Sequence, residues 1–292
     1  MKRYFLTLFS ALLFTAPAMH ADIYMPANKN FRYKHIVLLS DWDKVIANDK
    51  GAMGKLFAGM GAVPAKKSMP ILFKRGGKIA NIMKSARYDG QKLKGLAANI
   101  DYLTNFEPSL KPYRNKLMVK LNGASAHKEL IAYYQTLQAQ GMPLVIATNN
   151  DYESLVIKTK KLNLQLRKKR LKQLTYDACY CAGACPSIKD NKAPNGMPAG
   201  SVWLGKDSDE FFTKLFTFVE TELGYNREDT LFIFIDDLDK NIARARRVAH
   251  KEGVMLCAVH KNKSDHKIVG EMKQMFSTLS QHKAFLMFYN CP

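Results

Sequence analysis

The chain has 292 residues, of which 47% are hydrophobic, enough for one large domain or for one domain with a sizeable insertion. Beyond the N-terminal region, its apolar runs fall short of the roughly 20 residues that a spanning helix needs, which excludes a multi-span membrane protein. The formal net charge of +20 indicates anionic partners without choosing among phosphorylated metabolites, nucleic acid and acidic membranes.

Residues 1–21 are interpreted as a secretory signal peptide. Lys2 and Arg3 precede the apolar run YFLTLFSALLFTA, and small residues then predict cleavage after Ala18 or Ala21. The alternative is an uncleaved membrane anchor, for which the apolar run is short. We therefore expect an exported protein, either periplasmic or secreted.

Short runs of almost continuous apolar residues predict buried parallel strands at 36–40, 144–148, 231–235 and 254–259. Helical patterns separate these runs, at 125–141, 207–224 and 239–253, and each helical pattern ends at a glycine. Such alternation predicts a doubly wound, Rossmann-like α/β fold, in which helices cover both faces of a parallel sheet. We expect this core to comprise residues 22–47 and 113–292.

Two stretches interrupt the alternation. Residues 48–112 are rich in Gly, Lys and Met and contain helical patterns, which predicts an inserted, mainly helical cap. Residues 158–200 begin with a basic helical pattern and end in turn-forming residues, which predicts a basic, cysteine-containing insertion within the core.

The sequence holds five cysteines: Cys179, Cys181, Cys185, Cys257 and Cys291. Export permits disulfides. The first three are separated by one and three residues, which is not a common zinc spacing, so we favour disulfide pairing within this segment or to Cys291 over a metal site. Cys257 lies in an apolar run and is expected to be a buried filler without a disulfide.

A basic segment, residues 158–172, has two interpretations. Its cations could bind an anionic polymer, nucleic acid or a membrane surface, or they could form a solvated helix face, which we favour. The segment shows no recognised nucleic-acid motif. Its cations are Lys158, Lys160, Lys161, Arg167, Lys168, Lys169, Arg170 and Lys172.

Polar side chains follow the predicted strands at the point where each strand ends. Because ligands of doubly wound sheets bind at the carboxyl ends of the strands, we expect these side chains to converge. Clustered carboxylates need a counter-charge, and Mg²⁺, which prefers oxygen ligands, would supply it beside a substrate phosphate. The residues concerned are Asp41, Asp43, Thr148, Asn149, Lys206, Asp236 and Asp237.

The segments LLSDWDKV, LVIATNN, GKDSDEFF and FIFIDDLDKNIARAR resemble, in this order, the four motifs of the haloacid dehalogenase-like (HAD) hydrolase superfamily. The resemblance covers the core and leaves the cap unmatched. It implies a phosphatase rather than a dehalogenase, because dehalogenating members lack an acid at the position of Asp43. The residue after this acid is commonly glycine in the family and is Lys44 here.

The resemblance also implies a role for each position. Asp41 would be the nucleophile and a metal ligand, and Asp43 the general acid/base that also lends its backbone carbonyl to the metal. Asp236 and Asp237 would complete the magnesium site. Thr148 would bind phosphate through its hydroxyl and Asn149 through its backbone, and Lys206 would have both a catalytic and a phosphate-binding role.

We therefore expect an exported, Mg²⁺-dependent phosphomonoester hydrolase that acts on a small phosphorylated substrate through an aspartyl-phosphate. One alternative is a catalytically weak binding protein of this fold that holds an anionic polymer or membrane surface through residues 158–172. Another is a phosphotransferase that passes the phosphoryl group to an alcohol. Neither the substrate nor the oligomeric state follows from the sequence.

Overall fold

The computed structural model describes residues 22–24, 33–49, 62–64, 87–88, 91–92, 96–122, 124–182 and 204–289. The predicted signal peptide, most of the predicted cap, Cys185 and Cys291 lie outside these residues. The predictions for signal cleavage and for disulfide pairing to Cys185 or Cys291 therefore remain predictions.

From residue 124 onward, the described strands and helices alternate, as expected of α/β units. The strands are β1 (Asp22–Tyr24), β2 (His35–Ser40), β3 (Ala47–Asp49), β4 (Arg87–Tyr88), β5 (Gln91–Lys92), β6 (Ala124–Ala126), β7 (Leu144–Thr148), β8 (Ala178–Cys181), β9 (Thr230–Asp236) and β10 (Met255–His260).

The helices are α1 (Leu96–Phe106), a 3₁₀ helix (Pro108–Tyr113), α2 (Arg114–Leu121), α3 (Lys128–Ala139), α4 (Tyr152–Lys168), α5 (Asp209–Leu223), α6 (Asp239–Glu252) and α7 (Asp265–Tyr289). Within the described part of the chain, none of these helices has both the length and the apolar character needed to cross a bilayer.

The main sheet has the strand order β1-β10-β9-β2-β7-β8. Its last five strands are mutually parallel, and β1 pairs antiparallel with β10 at one edge. The chain order of the strands reverses between β2 and β9, and in such sheets the ligand crevice forms at this switch point. The predicted parallel, doubly wound α/β sheet is confirmed.

Both faces of the sheet are buried, which explains why the strands read as continuous apolar runs. In β2, Leu38 joins one buried cluster while Val37 and Leu39 join the other. The first cluster is completed by α3, α4 and α7, and the second by α5 and α6. Side chains alternate between these two layers, as the two-residue period of a strand requires.

Helix ends follow their local capping chemistry. Asp151 caps α4 by accepting a hydrogen bond from the Ser154 backbone N–H at 2.7 Å. Helices α5 and α6 both stop at a glycine in the left-handed region, with φ of +73° at Gly224 and +67° at Gly253. These caps confirm the glycine stops that the sequence predicts for both helices.

A third, smaller cluster joins α1, the 3₁₀ helix and α2 through side chains that include Ile100, Leu110 and Leu117. Helix α2 lies beyond residue 112, where the cap was predicted to end, yet it packs with α1. The helical unit thus continues to Leu121. Arg114 connects it to α4 by donating to Glu153 at 2.8 Å.

Part of the predicted insertion at 158–200 belongs to the core instead. Residues 158–168 form the second half of α4, and residues 178–181 form β8, which pairs in parallel with β7. The four-residue strand was missed because its sequence, ACYC, resembles a cysteine motif more than an apolar run. Cys179 and Cys181 lie buried in the first cluster, as does Cys257.

Candidate functional site

The register of β2 and β9 places two acids side by side at the switch point. Ser40 pairs with Ile235, so the residues that follow them, Asp41 and Asp236, are neighbours. The Asp41 backbone N–H donates to the Ile235 carbonyl at 2.9 Å and extends the pairing by one step. The parallel sheet itself therefore aligns these two carboxyl groups.

Asp237 completes an acidic cluster with Asp41 and Asp236. One carboxylate oxygen from each of the three residues lies within 4.8 Å of the others. Asp41 and Asp236 are buried, whereas Asp237 is half-buried. Three carboxylates this close repel one another strongly unless cations stand between them.

Lys206 provides one of these cations. Its Nζ lies 2.7 Å from Asp41 Oδ1 and 2.7 Å from Asp236 Oδ2, with the side chain only 1% exposed. The Lys206 backbone N–H donates to Asn149 Oδ1 at 2.8 Å, and Arg244 donates to the Lys206 carbonyl at 2.8 Å. The loop before α5 is thereby fastened to the end of β7, which holds the ammonium group between the two acids.

The pKa values of this buried pair reflect the competition between burial and charge. Burial raises the pKa of the Asp41 carboxyl from 3.8 to about 7, against the opposing charge of Lys206 and with further repulsion from Asp236 and Asp43. Burial would lower the pKa of Lys206, but the charges of Asp236 and Asp41 outweigh it and raise that pKa. Lys206 is therefore a permanent cation beside a carboxyl group that loses its proton with difficulty.

Asp236 is further oriented from the start of α6. Its Oδ1 accepts hydrogen bonds from the Leu238 backbone N–H at 2.9 Å and from Asn241 Nδ2 at 3.0 Å. With Lys206 on Oδ2, both oxygens have defined partners. A carboxylate satisfied in this way keeps a fixed direction toward Asp41.

Lys44 pairs with the third acid, at 2.9 Å from Asp237 Oδ2, but its side chain is 65% exposed. Its backbone lies in the left-handed region, with φ of +61°. A side chain at such φ costs roughly 1–2 kcal/mol, and glycine avoids this cost. The local geometry thus explains why glycine suits this position, while the lysine adds a second cation to the acidic cluster.

Asp43 lies in the same loop, but its carboxylate faces a different set of partners. Oδ1 accepts from Lys158 Nζ at 2.7 Å, and Oδ2 accepts from Asn150 Nδ2 at 2.9 Å. The same Asn150 amide group donates to Thr148 Oγ1 at 2.8 Å. Asn150 therefore connects the second aspartate to the threonine that ends β7.

The structure brings most of the predicted site residues to one edge of the sheet. Asp41, Asp236, Asp237 and Lys206 meet directly, and Thr148 joins Asp43 through Asn150. The Asn149 side chain accepts a hydrogen bond from the Lys206 backbone N–H. The phosphate contacts predicted for Thr148, Asn149 and Lys206, and the metal contact predicted for the Asp43 carbonyl, remain predictions.

The acidic cluster fits a hard divalent cation. Its donors are all carboxylate oxygens from three residues, and Mg²⁺ characteristically takes few protein carboxylates together with water or substrate phosphate. Lys206 and Lys44 already pair with these carboxylates, which shows that the cluster attracts positive charge. Asp41, Asp236 and Asp237 are the residues that could hold the ion.

Asn150 and Lys158 also lie at the site, although neither is predicted there from the sequence. Lys158 was counted among the cations of a solvated helix face, yet its side chain is 3% exposed and lies at the site. A period of three or four residues in α4 offers the missing signal, because Lys158 shares the buried face with Leu155 and Leu162. The exposed basic residues of the segment are Lys160 and those at 167–172.

Comparisons with known proteins find distant structural likenesses. The chain is similar to a HAD family enzyme from Bacteroides thetaiotaomicron in complex with magnesium and inorganic phosphate, with 13% identity and a TM-score of 0.41, over 78% of this chain and 96% of that chain. It is similar to phosphoserine phosphatase in its apo form, with 13% identity and a TM-score of 0.36, over 79% and 96% of the two chains.

A dehalogenase is also similar, with 14% identity and a TM-score of 0.38, over 78% of this chain and 85% of that chain. No family model matches the sequence, and no curated protein sequence matches it.

Proposed function

We propose that the chain is a Mg²⁺-dependent phosphatase of the HAD type, which hydrolyses phosphate monoesters through an aspartyl-phosphate at Asp41. The observation that carries the proposal is the convergence of Asp41, Asp236 and Asp237 around a buried lysine at the switch point of the sheet. This arrangement supports the proposal, because a carboxylate able to attack phosphorus, a cation and three possible metal ligands lie together at the ligand crevice of the sheet.

In the first step, a carboxylate oxygen of Asp41 attacks phosphorus, and the bond between phosphorus and the ester oxygen breaks. Asp43, as the general acid, gives a proton to the leaving oxygen, which departs as an alcohol. In the second step, Asp43 takes a proton from water as the water oxygen attacks phosphorus. The bond from phosphorus to Asp41 breaks, which regenerates the Asp41 carboxylate and releases inorganic phosphate.

The remaining residues bind and orient the substrate. Thr148 Oγ1 already accepts hydrogen bonds from Asn150, so its own O–H can donate to a phosphate oxygen. Lys206 would stabilise negative charge that develops beside Asp41. A bound Mg²⁺ would neutralise phosphate charge and lower the pKa of Asp41, so that the nucleophile is ionised at neutral pH.

Metal removal tests this proposal. The purified protein is expected to release inorganic phosphate from 4-nitrophenyl phosphate in the presence of Mg²⁺ and to lose this activity in EDTA. Added Mg²⁺ should restore activity, whereas Ca²⁺ should not, because Ca²⁺ is larger and binds oxygen ligands at about 2.3–2.6 Å in a looser geometry than the octahedral shell of Mg²⁺ at about 2.0–2.1 Å. Equal yields of phosphate and 4-nitrophenol in the presence of added alcohols would separate hydrolysis from phosphoryl transfer.

Absence of phosphate release together with heparin binding would contradict the phosphatase proposal. If no metal concentration supports phosphate release and the protein instead shows salt-sensitive retention on heparin, the binding-protein alternative is correct. The exposed basic residues at 167–172 are the surface that such binding would use.

We also propose that the protein is exported, on the basis of the charged and apolar pattern of residues 1–21. N-terminal sequencing of the protein recovered from the periplasm or culture medium is expected to begin at Met19 or Asp22. Recovery of the intact chain from the cytoplasm would contradict export.

A further inference from the structure

Lys158 occupies an unusual environment for a lysine. It lies on the buried face of α4, its side chain is 3% exposed, and its ammonium group is directed at the loop that follows β2. Burial of a lysine is costly unless the charge is paired and hydrogen-bonded. Its position therefore calls for a role beyond that of a surface cation.

The lysine belongs to a closed set of contacts around Asp43. Lys158 Nζ donates to Asp43 Oδ1 at 2.7 Å and to Asn150 Oδ1 at 2.8 Å, and Asn150 Nδ2 donates to Asp43 Oδ2 at 2.9 Å. Each Asp43 oxygen thus has its own donor, and the two donors are bonded to each other. The three side chains come from the β2 loop, the end of β7 and α4.

We propose that Lys158 and Asn150 form a clamp that orients the Asp43 carboxyl group for proton transfer to the leaving oxygen. Lys158 is the positioning residue of this clamp, since it contacts both other members from a rigid helix. The inference rests on the proposed function, in which Asp43 is the general acid and base.

Asn150 also connects the clamp to the phosphate-binding end of β7. The amide nitrogen that holds Asp43 is 2.8 Å from Thr148 Oγ1, and the Asn150 backbone N–H lies 3.2 Å from the same oxygen. The Asp43 carboxyl and the threonine hydroxyl are therefore fixed relative to each other. A phosphate hydrogen-bonded to Thr148 would therefore lie at a fixed distance from the Asp43 carboxyl group. Proton transfer to the leaving oxygen requires such a fixed geometry.

A leaving-group comparison tests the positioning role. Lys158→Met keeps the length of the side chain and removes the charge and the hydrogen bonds. Phenyl phosphate needs a proton on its leaving oxygen, whereas 4-nitrophenyl phosphate hardly does. We expect kcat/KM of the variant to fall about 100-fold for phenyl phosphate and less than about 10-fold for 4-nitrophenyl phosphate.

Two matched variants complete the test. Lys160→Met removes an exposed lysine from the same helix and should leave both values within about two-fold of the unmodified protein. In the Asp43→Asn background, Lys158→Met should cause no further loss of kcat/KM that is specific to phenyl phosphate, because the carboxyl group that it positions is already gone. Equal losses for the two substrates would mean that Lys158 supports substrate binding or folding, and would overturn the proposal.

A crystal structure of Lys158→Met keeps this inference separate from the proposed function. We expect the Asp43 side chain to leave its place beside Asn150 in that variant and to keep it in Lys160→Met. If the unmodified protein hydrolyses no phosphate ester, the phosphatase proposal fails, and the structure alone decides whether Lys158 holds Asp43. An Asp43 side chain that keeps its place in Lys158→Met would overturn the clamp.

Discussion

Asp41→Asn is expected to abolish phosphate ester hydrolysis, with a fall in kcat of at least about 10³-fold. The amide cannot attack phosphorus to form an aspartyl-phosphate, although it matches the carboxylate in shape. Steady-state rates with 4-nitrophenyl phosphate and Mg²⁺ would measure the loss. Trapping of radioactive phosphate on the unmodified protein, and not on the variant, would identify the covalent intermediate directly.

Asp239→Asn is the matched control for this substitution. Asp239 lies at the same edge of the sheet, three residues after Asp236, but its side chain is 84% exposed and pairs with His260. The same chemical change there should leave kcat within about two-fold of the unmodified protein. Turnover in Asp41→Asn equal to that of the control would remove the aspartyl-phosphate from the mechanism.

The same Asp41 substitution is expected to stabilise the protein in EDTA above neutral pH. The pKa of the Asp41 carboxyl is about 7 in the folded chain, compared with an ordinary value of 3.8. Between these values the folded state holds a proton that the unfolded chain has released. The stability from this group is therefore fully present below pH 3.8 and is lost as pH rises through 7.

Denaturant unfolding at a series of pH values would measure how ionisation of Asp41 lowers the free energy of unfolding. The free energy of unfolding of Asp41→Asn should match that of the unmodified protein near pH 4 and exceed it at pH 8, by an amount on the order of 4 kcal/mol or less. Saturating Mg²⁺ should reduce this difference in the free energy of unfolding at pH 8, because the ion stabilises the ionised Asp41 carboxylate of the unmodified protein. A gap that stays constant across this range would contradict a raised pKa at Asp41.

Much of the fold could be predicted because both faces of the sheet are covered. Under that condition strands are continuous apolar runs. The predicted bounds of β7 match the observed ones, and those of β2, β9 and β10 differ by one residue at one or both ends. The acids of the site were found for a related reason. Polar residues directly after a buried run stand out, and strand ends in a parallel sheet share one edge.

The contacts that depend on packing between distant elements could not be predicted in this way. Lys158 lies 115 positions from Asp43 in the chain, and the next two lysines, Lys160 and Lys161, are exposed and half-buried, respectively. Only the rotation of α4 against the sheet decides which of those lysines is buried. The edge strand β8 was missed for another reason, since its sequence, ACYC, resembles a cysteine motif more than an apolar run.

Lys206→Met is expected to lower the free energy of unfolding in EDTA by about 3–5 kcal/mol at pH 8. The substitution removes the ammonium group 2.7 Å from both Asp41 and Asp236, and it leaves two buried carboxylates facing each other without a cation between them. Thermal unfolding should shift downward by about 10 °C. At pH 5 the loss should shrink, because Asp41 can then hold a proton.

Lys44→Met tests whether the destabilisation of Lys206→Met depends on the burial of the lysine or only on the loss of a positive charge. It removes a cation from the same acidic cluster, at 2.9 Å from Asp237, but at a side chain that is 65% exposed. Because water already screens that pair, its loss should cost at most about 1 kcal/mol. If Lys206 acts as a counter-charge, saturating Mg²⁺ should recover most of the stability of Lys206→Met while kcat stays reduced about 10²-fold or more. A destabilisation of Lys206→Met that is equal in EDTA and Mg²⁺ would mean that the lysine fills space in the core and does not neutralise the acids.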